Sequence, residues 1–127
     1  MLYVKEVPGN VDDIVAKIKQ AARDNDFGVL DVLDLKQKMS SKGVELAPEY
    51  RIVEVCNPHR TKDVLENNMA ISTALPCRIS VYEEAGKVKI ATIRSAYTLE
   101  MFDSPGLESV AHSVEETIIK IIGLALS

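Results

Sequence analysis

The sequence predicts a single α+β domain, and three observations support this fold class. Period-two alternation in residues 77–82 and in Lys87–Ile93, on either side of a turn at residues 84–86, predicts a β-hairpin. Apolar residues spaced three, four and seven apart from Val11 onward predict an amphipathic helix. No Pro/Gly/Ser-rich stretch or charge block divides the 127 residues, so we expect residues 1–127 to form one domain.

The first half of the chain reads as strand, helix, strand and a short helical segment. Leu2–Val7 alternates well enough for a strand, and Asn10 can cap a helix that we expect to run to about residue 25. Residues 29–35 are apolar and partly β-branched, which predicts a second strand. Leu35–Ser41 is expected to form a turn or two of helix.

A flexible loop is predicted at residues 44–49, before a third strand at Tyr50–Cys56. Asn57 followed by Pro58 predicts the cap and first residue of a short helix that ends near residues 67–68. The following segment is expected to lead back to the sheet and into the hairpin.

The chain should end in a long helix. After an irregular stretch at residues 97–105, apolar residues at helical spacing predict a helix over residues 107–126. Residues 118–126 are apolar nearly all round, which is more than a helix needs to cover one face of a sheet. We therefore expect a homodimer that forms through this apolar C-terminal helix or through the sheet.

Composition excludes some partners. The formal net charge is −4, and lysines and arginines are scattered, which argues against nucleic-acid binding. No stretch approaches the roughly 18 to 20 apolar residues of a membrane span, and the N-terminus lacks the apolar region of a signal peptide. We expect a cytoplasmic protein with no membrane partner, in which the two cysteines are free thiols or form a transient bridge.

Two short cysteine motifs mark the candidate site. They are Cys56-Asn57-Pro58-His59 and Leu75-Pro76-Cys77-Arg78. Each cysteine lies where an apolar stretch meets a break marked by proline, and such junctions present reactive groups to solvent. Pairing of the two strands would bring both thiols close to one helix end.

Each residue of these motifs has a candidate role in binding a small anionic or sulfur-containing ligand. The partial positive charge at a helix start favours the thiolate of Cys56. His59 would add a proton donor or a second ligand, and Asn57 would cap the helix or orient a bound anion. Arg78 would stabilise an anion, a thiolate or a sulfur oxyacid beside Cys77.

Simpler interpretations stay open. Cys56 and Cys77 are equally well explained as packed, unreactive side chains of a structural or protein-interaction module. A thiol-dependent redox or sulfur-transfer enzyme is a further alternative. Cys56-x-x-His59 with Cys77 supplies soft ligands, but structural zinc needs four and the chain has no Cys-x-x-Cys or His pair to complete them, so we expect no metal. No phosphate-binding glycine loop or dinucleotide fingerprint indicates a cofactor, so none is expected.

These motifs, together with Phe27-Gly28 at a strand entry and residues 81–83 after the second motif, resemble domain of unknown function family 302. The resemblance spans nearly the whole chain. It implies a small α+β fold of β-α-β-β-α-β-β-α order, in which a mostly antiparallel sheet packs helices on one face, as in the TATA-binding-protein-like arrangement. It also implies frequent homodimers, and it implies no established reaction.

Overall fold

The computed structural model describes residues 1–126, and it has the α+β architecture that the sequence predicts. The strands are Leu2–Val7 (β1), Gly28–Asp34 (β2), Tyr50–Cys56 (β3), Cys77–Glu84 (β4) and Lys87–Ile93 (β5). The helices are Val11–Asp24 (α1), Leu35–Ser41 (α2), Pro58–Asn67 (α3), Ser95–Glu100 (α4) and Leu107–Ala125 (α5), with a 3₁₀ helix at Met69–Ala74.

The five strands form one antiparallel sheet in the order β1-β5-β4-β3-β2. The predicted hairpin joins β4 to β5 through Ala85 and Gly86, whose φ angles are 54° and 77°. Positive φ at both central residues gives the turn that matches the twist of two antiparallel strands. The turn is therefore tight enough for both strands to continue to it, and β4 runs two residues beyond its predicted end at Tyr82.

One face of the sheet is covered by α1 and α5, which pack against each other. Every predicted apolar position of α1 is buried: Val11, Ile14, Val15, Ile18, Ala21 and Ala22. These side chains form one hydrophobic cluster with the inward residues of β3, β4 and β5, among them Val53, Ile79 and Ile90. Burial of this shared apolar surface is the main contribution to the stability of the domain.

The nearly continuous apolar end of α5 is largely covered by the chain itself. Ile118, Ile121, Ile122 and Ala125 are buried, because they pack in one hydrophobic cluster with α1 and the inward face of the sheet. Leu124 is the exposed large apolar side chain of this stretch, at 46%. Internal packing thus accounts for most of the apolar excess that suggested a partner subunit. No helix within residues 1–126 is both long and apolar enough to cross a membrane.

Two element boundaries differ from the sequence prediction because of side chains that act as caps. Leu35 begins α2 as predicted but does not also end β2, since the Asp34 carboxylate accepts the Gln37 N–H at 2.9 Å and Asp34 becomes the helix cap. Helix α4 occupies part of the stretch that was expected to be irregular. Its first turn is capped from α5, because Glu115 Oε1 accepts the Ala96 N–H at 3.3 Å.

The opposite face of the sheet carries exposed apolar side chains near its β1 edge. Leu2, Val4 and Ile93 are 62%, 42% and 56% exposed, and Leu2 lies directly opposite Ile93 in the β1–β5 register. Tyr50 and Tyr82 stack farther across the same face, with ring centroids 6.2 Å apart.

Charge is concentrated at the end of the sheet where β3 begins. Arg51, only 13% exposed at its side chain, pairs with Asp12 at 3.4 Å, Asp34 at 3.3 Å and Glu49 at 2.7 Å. Hydrogen bonds from Arg51 and Lys36 lower the pKa of Glu49 below its usual value. The network joins α1 to the α2 cap and to β3, at the end of β3 opposite to Cys56.

We expect Ile90→Ala to destabilise the protein by about 2–5 kcal/mol, because this fully buried side chain would leave a cavity in the core. Ile93→Ala, on the same strand but more than half exposed, should change stability by only about 0.5 kcal/mol. Urea unfolding of the two variants measures the difference. Equal losses would contradict the assignment of the two faces of β5.

Candidate functional site

A cavity of about 500 Å³ opens at the end of the sheet where β3 ends and β4 begins. Its walls come from α3, the 3₁₀ helix, α4 and the start of β4, and its volume falls within the range of small-molecule sites. Apolar side chains that line it include Phe27, Val64, Leu75, Leu99 and Val114. The cavity is therefore large enough, and apolar enough, for an organic ligand.

Both cysteines line this cavity. Val55 lies opposite Cys77 in the β3–β4 register, so the end of β3 lies beside the start of β4, as predicted from the sequence. Cys56 and Cys77 are free thiols, and each is half-buried. The chain enters β4 through the cis peptide bond between Leu75 and Pro76. The structure thus brings the two cysteine motifs to one corner of the sheet.

The environment of Cys77 favours the neutral thiol. Burial raises the pKa of Cys77 above its ordinary value, and the nearby Cys56 acts in the same direction. A side-chain hydrogen bond from Ser95 and the positive charge of Arg78 act in the opposite direction without cancelling the effect of burial. Because the thiolate is the nucleophilic form, this shift lowers the reactivity expected of Cys77 at neutral pH.

Asn57 caps α3, which confirms one of its two predicted roles. Its Oδ1 accepts the backbone N–H groups of His59 at 3.0 Å and Arg60 at 3.1 Å. These two donors are engaged by the cap itself, so they do not point at the sulfur of Cys56. The predicted effect of the helix start on the Cys56 thiolate stays a prediction.

Four of the five predicted site residues line the cavity, and one does not. Cys56, Asn57, Cys77 and Arg78 belong to the lining, whereas His59 lies exposed in the first turn of α3, outside the lining that residues 1–126 provide. Successive side chains of a helix point about 100° apart around its axis, so position 59 does not lie on the cavity side of α3.

Sequence reasoning missed Arg60, Thr61 and Ser95, which also line the cavity. The sequence could have indicated Arg60 and Thr61, because positions 57, 60, 61 and 64 have the three, four and seven spacing of one helix face. Ser95 had no such signal. Its place depends on α4, whose start is held by hydrogen bonds to Glu115 from Arg94 and Ala96, 21 and 19 residues away in the chain.

The cavity lining is positively charged. It includes Arg60 and Arg78 and has no Asp or Glu among the residues that the structure describes. Glu54 is the register partner of Arg78 across β3 and β4, but the two form no ion pair. Residues 1–126 hold no group of three or more His, Cys, Asp or Glu side chains suited to a metal ion.

A second cavity, of about 760 Å³, lies between α4 and α5. Its lining includes Glu100, Asp103, Glu108 and His112, and His112 is exposed on α5. It shares Tyr97 and Leu99 with the first cavity, but no cysteine lines it, so the sequence motifs do not indicate it.

Comparisons with known proteins agree with the resemblance noted in the sequence. The family described as Domain of unknown function DUF302 matches residues 3–125. A solved structure titled "Crystal structure of uncharacterized conserved protein DUF302 from Bacillus stearothermophilus" has a TM-score of 0.92 and 26% sequence identity. The match covers 98% of this chain and 97% of that chain. No curated protein matches.

We expect alkylation of Cys77 to reach its half-maximal rate at a higher pH than alkylation of an unperturbed cysteine, because its pKa is raised. Ser95→Ala should shift that midpoint higher still, since it removes a hydrogen bond that favours the thiolate. Site-resolved mass spectrometry in a Cys56→Ser background measures the pH profile.

The matched control is Ser80→Ala, a half-buried serine on the open side of β4, which should leave the midpoint of Cys77 unchanged. A Cys77 midpoint at or below that of a free cysteine would contradict the interpretation of its environment.

Proposed function

Since this chain belongs to the family described as domain of unknown function DUF302, whose name assigns no activity, we propose a function from its own cavity. The protein binds a small anionic or sulfur-containing molecule beside Cys56 and Cys77. One observation carries this proposal: both thiols, Asn57 and Arg78 line a single cavity of ligand size.

The chemistry of the lining supports a ligand of this kind. Thiol sulfur is polarizable and makes favourable contacts with other soft or apolar groups. A guanidinium offers several N–H donors to an anion in a fixed planar geometry. Cys56, Cys77 and Arg78 supply both kinds of contact within one cavity.

Binding is better supported than catalysis. The lining residues described here include no Asp, Glu or His that would act as a general acid or base. The raised pKa of Cys77 also disfavours this thiol as the nucleophile of a redox or sulfur-transfer enzyme. The proposal includes a reducing, cytoplasmic compartment, which the two free thiols support.

Native mass spectrometry of protein purified from its source is expected to reveal a retained ligand as added mass. Thr61→Trp should abolish this added mass, because Thr61 lines the cavity and the larger side chain would fill it. Lys62→Trp is the matched control, since this neighbouring side chain is 76% exposed and should not affect binding.

An unmodified mass in the wild type would contradict the proposed function. So would added mass that persists in Thr61→Trp, because the ligand would then occupy another place. Thermal unfolding of both variants checks that the two tryptophans leave the fold intact.

A second candidate role is that of an interaction module, and we propose a second copy of this chain as its partner. The exposed apolar side chains of Leu2, Val4 and Ile93 favour the sheet over the C-terminal helix as the contact. They lie on neighbouring strands, whereas Leu124 is a single exposed side chain on α5.

Sedimentation velocity is expected to show a dimer for the wild type and a monomer for Leu2→Lys combined with Val4→Lys, because two charges would be buried unpaired in the contact. Leu124→Lys should remain a dimer. A monomeric wild type would contradict dimerisation, and loss of the dimer only in Leu124→Lys would place the contact on the helix.

A further inference from the structure

We propose that the ligand is an anionic amphiphile, an inference that rests on the proposed function. Its apolar body occupies the interior of the cavity, and its anionic head group, such as a carboxylate, lies between Arg60 and Arg78. Three features of the cavity point to this class of ligand. It lies between two hydrophobic clusters, the guanidinium groups of its two arginines have no partner within residues 1–126, and its described lining has no negative charge.

The interior of the cavity lies between two separate hydrophobic clusters. Phe27 and Val114 belong to the large cluster under the sheet, whereas Val64 and Leu99 belong to a smaller cluster formed by α3, α4 and α5. All four side chains also line the cavity. An apolar ligand placed there would contact both clusters, and each methylene group removed from water would raise affinity by roughly fourfold.

The size of the cavity suits more than a small inorganic anion. A cavity of about 150 Å³ takes one benzene ring, and this one measures about 500 Å³. Phosphate or sulfate alone would leave most of the apolar wall without contacts, and such empty apolar space is unfavourable. The body of the ligand should therefore be an alkyl chain or a group of similar bulk.

The two arginines of the cavity differ from the other arginines of the chain. Arg51 and Arg94 pair with carboxylates, and Arg23 donates a hydrogen bond to Gln20. The guanidinium groups of Arg60 and Arg78 have no hydrogen-bond or ion-pair partner within residues 1–126. Both residues are exposed to solvent, so within residues 1–126 these are the two arginines whose guanidinium groups are free to contact a ligand.

The two arginines of the cavity lining come from different elements. Arg60 lies in the first turn of α3, and Arg78 is the second residue of β4. Guanidinium groups match a carboxylate geometrically through paired N–H donors. Because the chain carries a net charge of −4, a lining with two cations and no acid departs from the average of the molecule and selects for an anion.

Isothermal titration calorimetry with probes of matched chain length tests this proposal. Decanoate should bind at least tenfold more tightly than decanol or decyltrimethylammonium, and acetate should not bind measurably. Octanoate should bind roughly sixteenfold more weakly than decanoate, because it lacks two methylene groups. Thr61→Trp should abolish binding of both decanoate and decanol.

Charge-removing variants separate the head-group contact from the apolar contact. Arg60→Gln and Arg78→Gln should each weaken decanoate binding roughly tenfold, the effect of one charge-assisted hydrogen bond, and should leave decanol binding unchanged. Lys62→Gln is the matched control on α3, since it removes one exposed positive charge outside the cavity and should change neither affinity.

Each contrary outcome has a distinct meaning. Equal binding of decanoate and decanol, both lost in Thr61→Trp, would overturn the anionic ligand class while keeping the cavity as a binding site. Acetate binding as tight as decanoate would overturn the apolar body. Decanoate affinity that is unchanged in both arginine variants would overturn the assigned head-group contact. If no probe binds at all, the anionic amphiphile is overturned, whereas a retained mass that Thr61→Trp removes would still support the proposed function.

Discussion

The antiparallel register of β3 against β4 is the constraint on which the rest of the site depends. With Val55 opposite Cys77, the end of one strand and the start of the next meet at one corner of the sheet. The chain between them must leave this corner and return to it. It does so through α3 and the 3₁₀ helix, which become two walls of the cavity. Strand pairing therefore determines where the two cysteines lie. It also requires the connecting segment to form a separate layer of structure beside them.

That separate layer explains why an open volume persists next to a close-packed core. The sheet, α1 and most of α5 form one hydrophobic cluster, and α3, the 3₁₀ helix and α4 contribute to a second. Val110 packs against both clusters, which joins them along α5. Side chains from both clusters line the cavity. An amphipathic occupant would complete the packing at that place.

Local patterns in the sequence predict most of the fold. Leu2–Val7, Tyr50–Cys56 and Lys87–Ile93 have the predicted boundaries because period-two alternation and turn residues act within each segment. The start of α3 is likewise set by Asn57 and the proline after it. The α4 helix could not be predicted in this way, since the acceptor for its first turn is Glu115 on another helix.

The same distinction applies to the site. The two cysteine motifs were recognisable because each is a contiguous run of residues at the end of a strand. The contribution of Arg60 was present in the sequence as helical spacing, but its importance depends on a cavity that exists only after α3 packs beside β4. His59 shows the opposite: it is close to Cys56 in the sequence, but its position on α3 leaves it outside the cavity lining.

The bond between Glu115 and the start of α4 has a consequence for how this protein can diverge. Arg94, at the capping position of α4, makes no side-chain cap there, and the carboxylate from α5 performs that task instead. A serine, threonine, aspartate or asparagine at position 94 would satisfy the same N–H locally. Such a change would also remove the ion pair between Arg94 and the buried Glu115 at 3.2 Å, and loss of Glu115 alone would leave the Ala96 N–H without its acceptor, so positions 94 and 115 should change together.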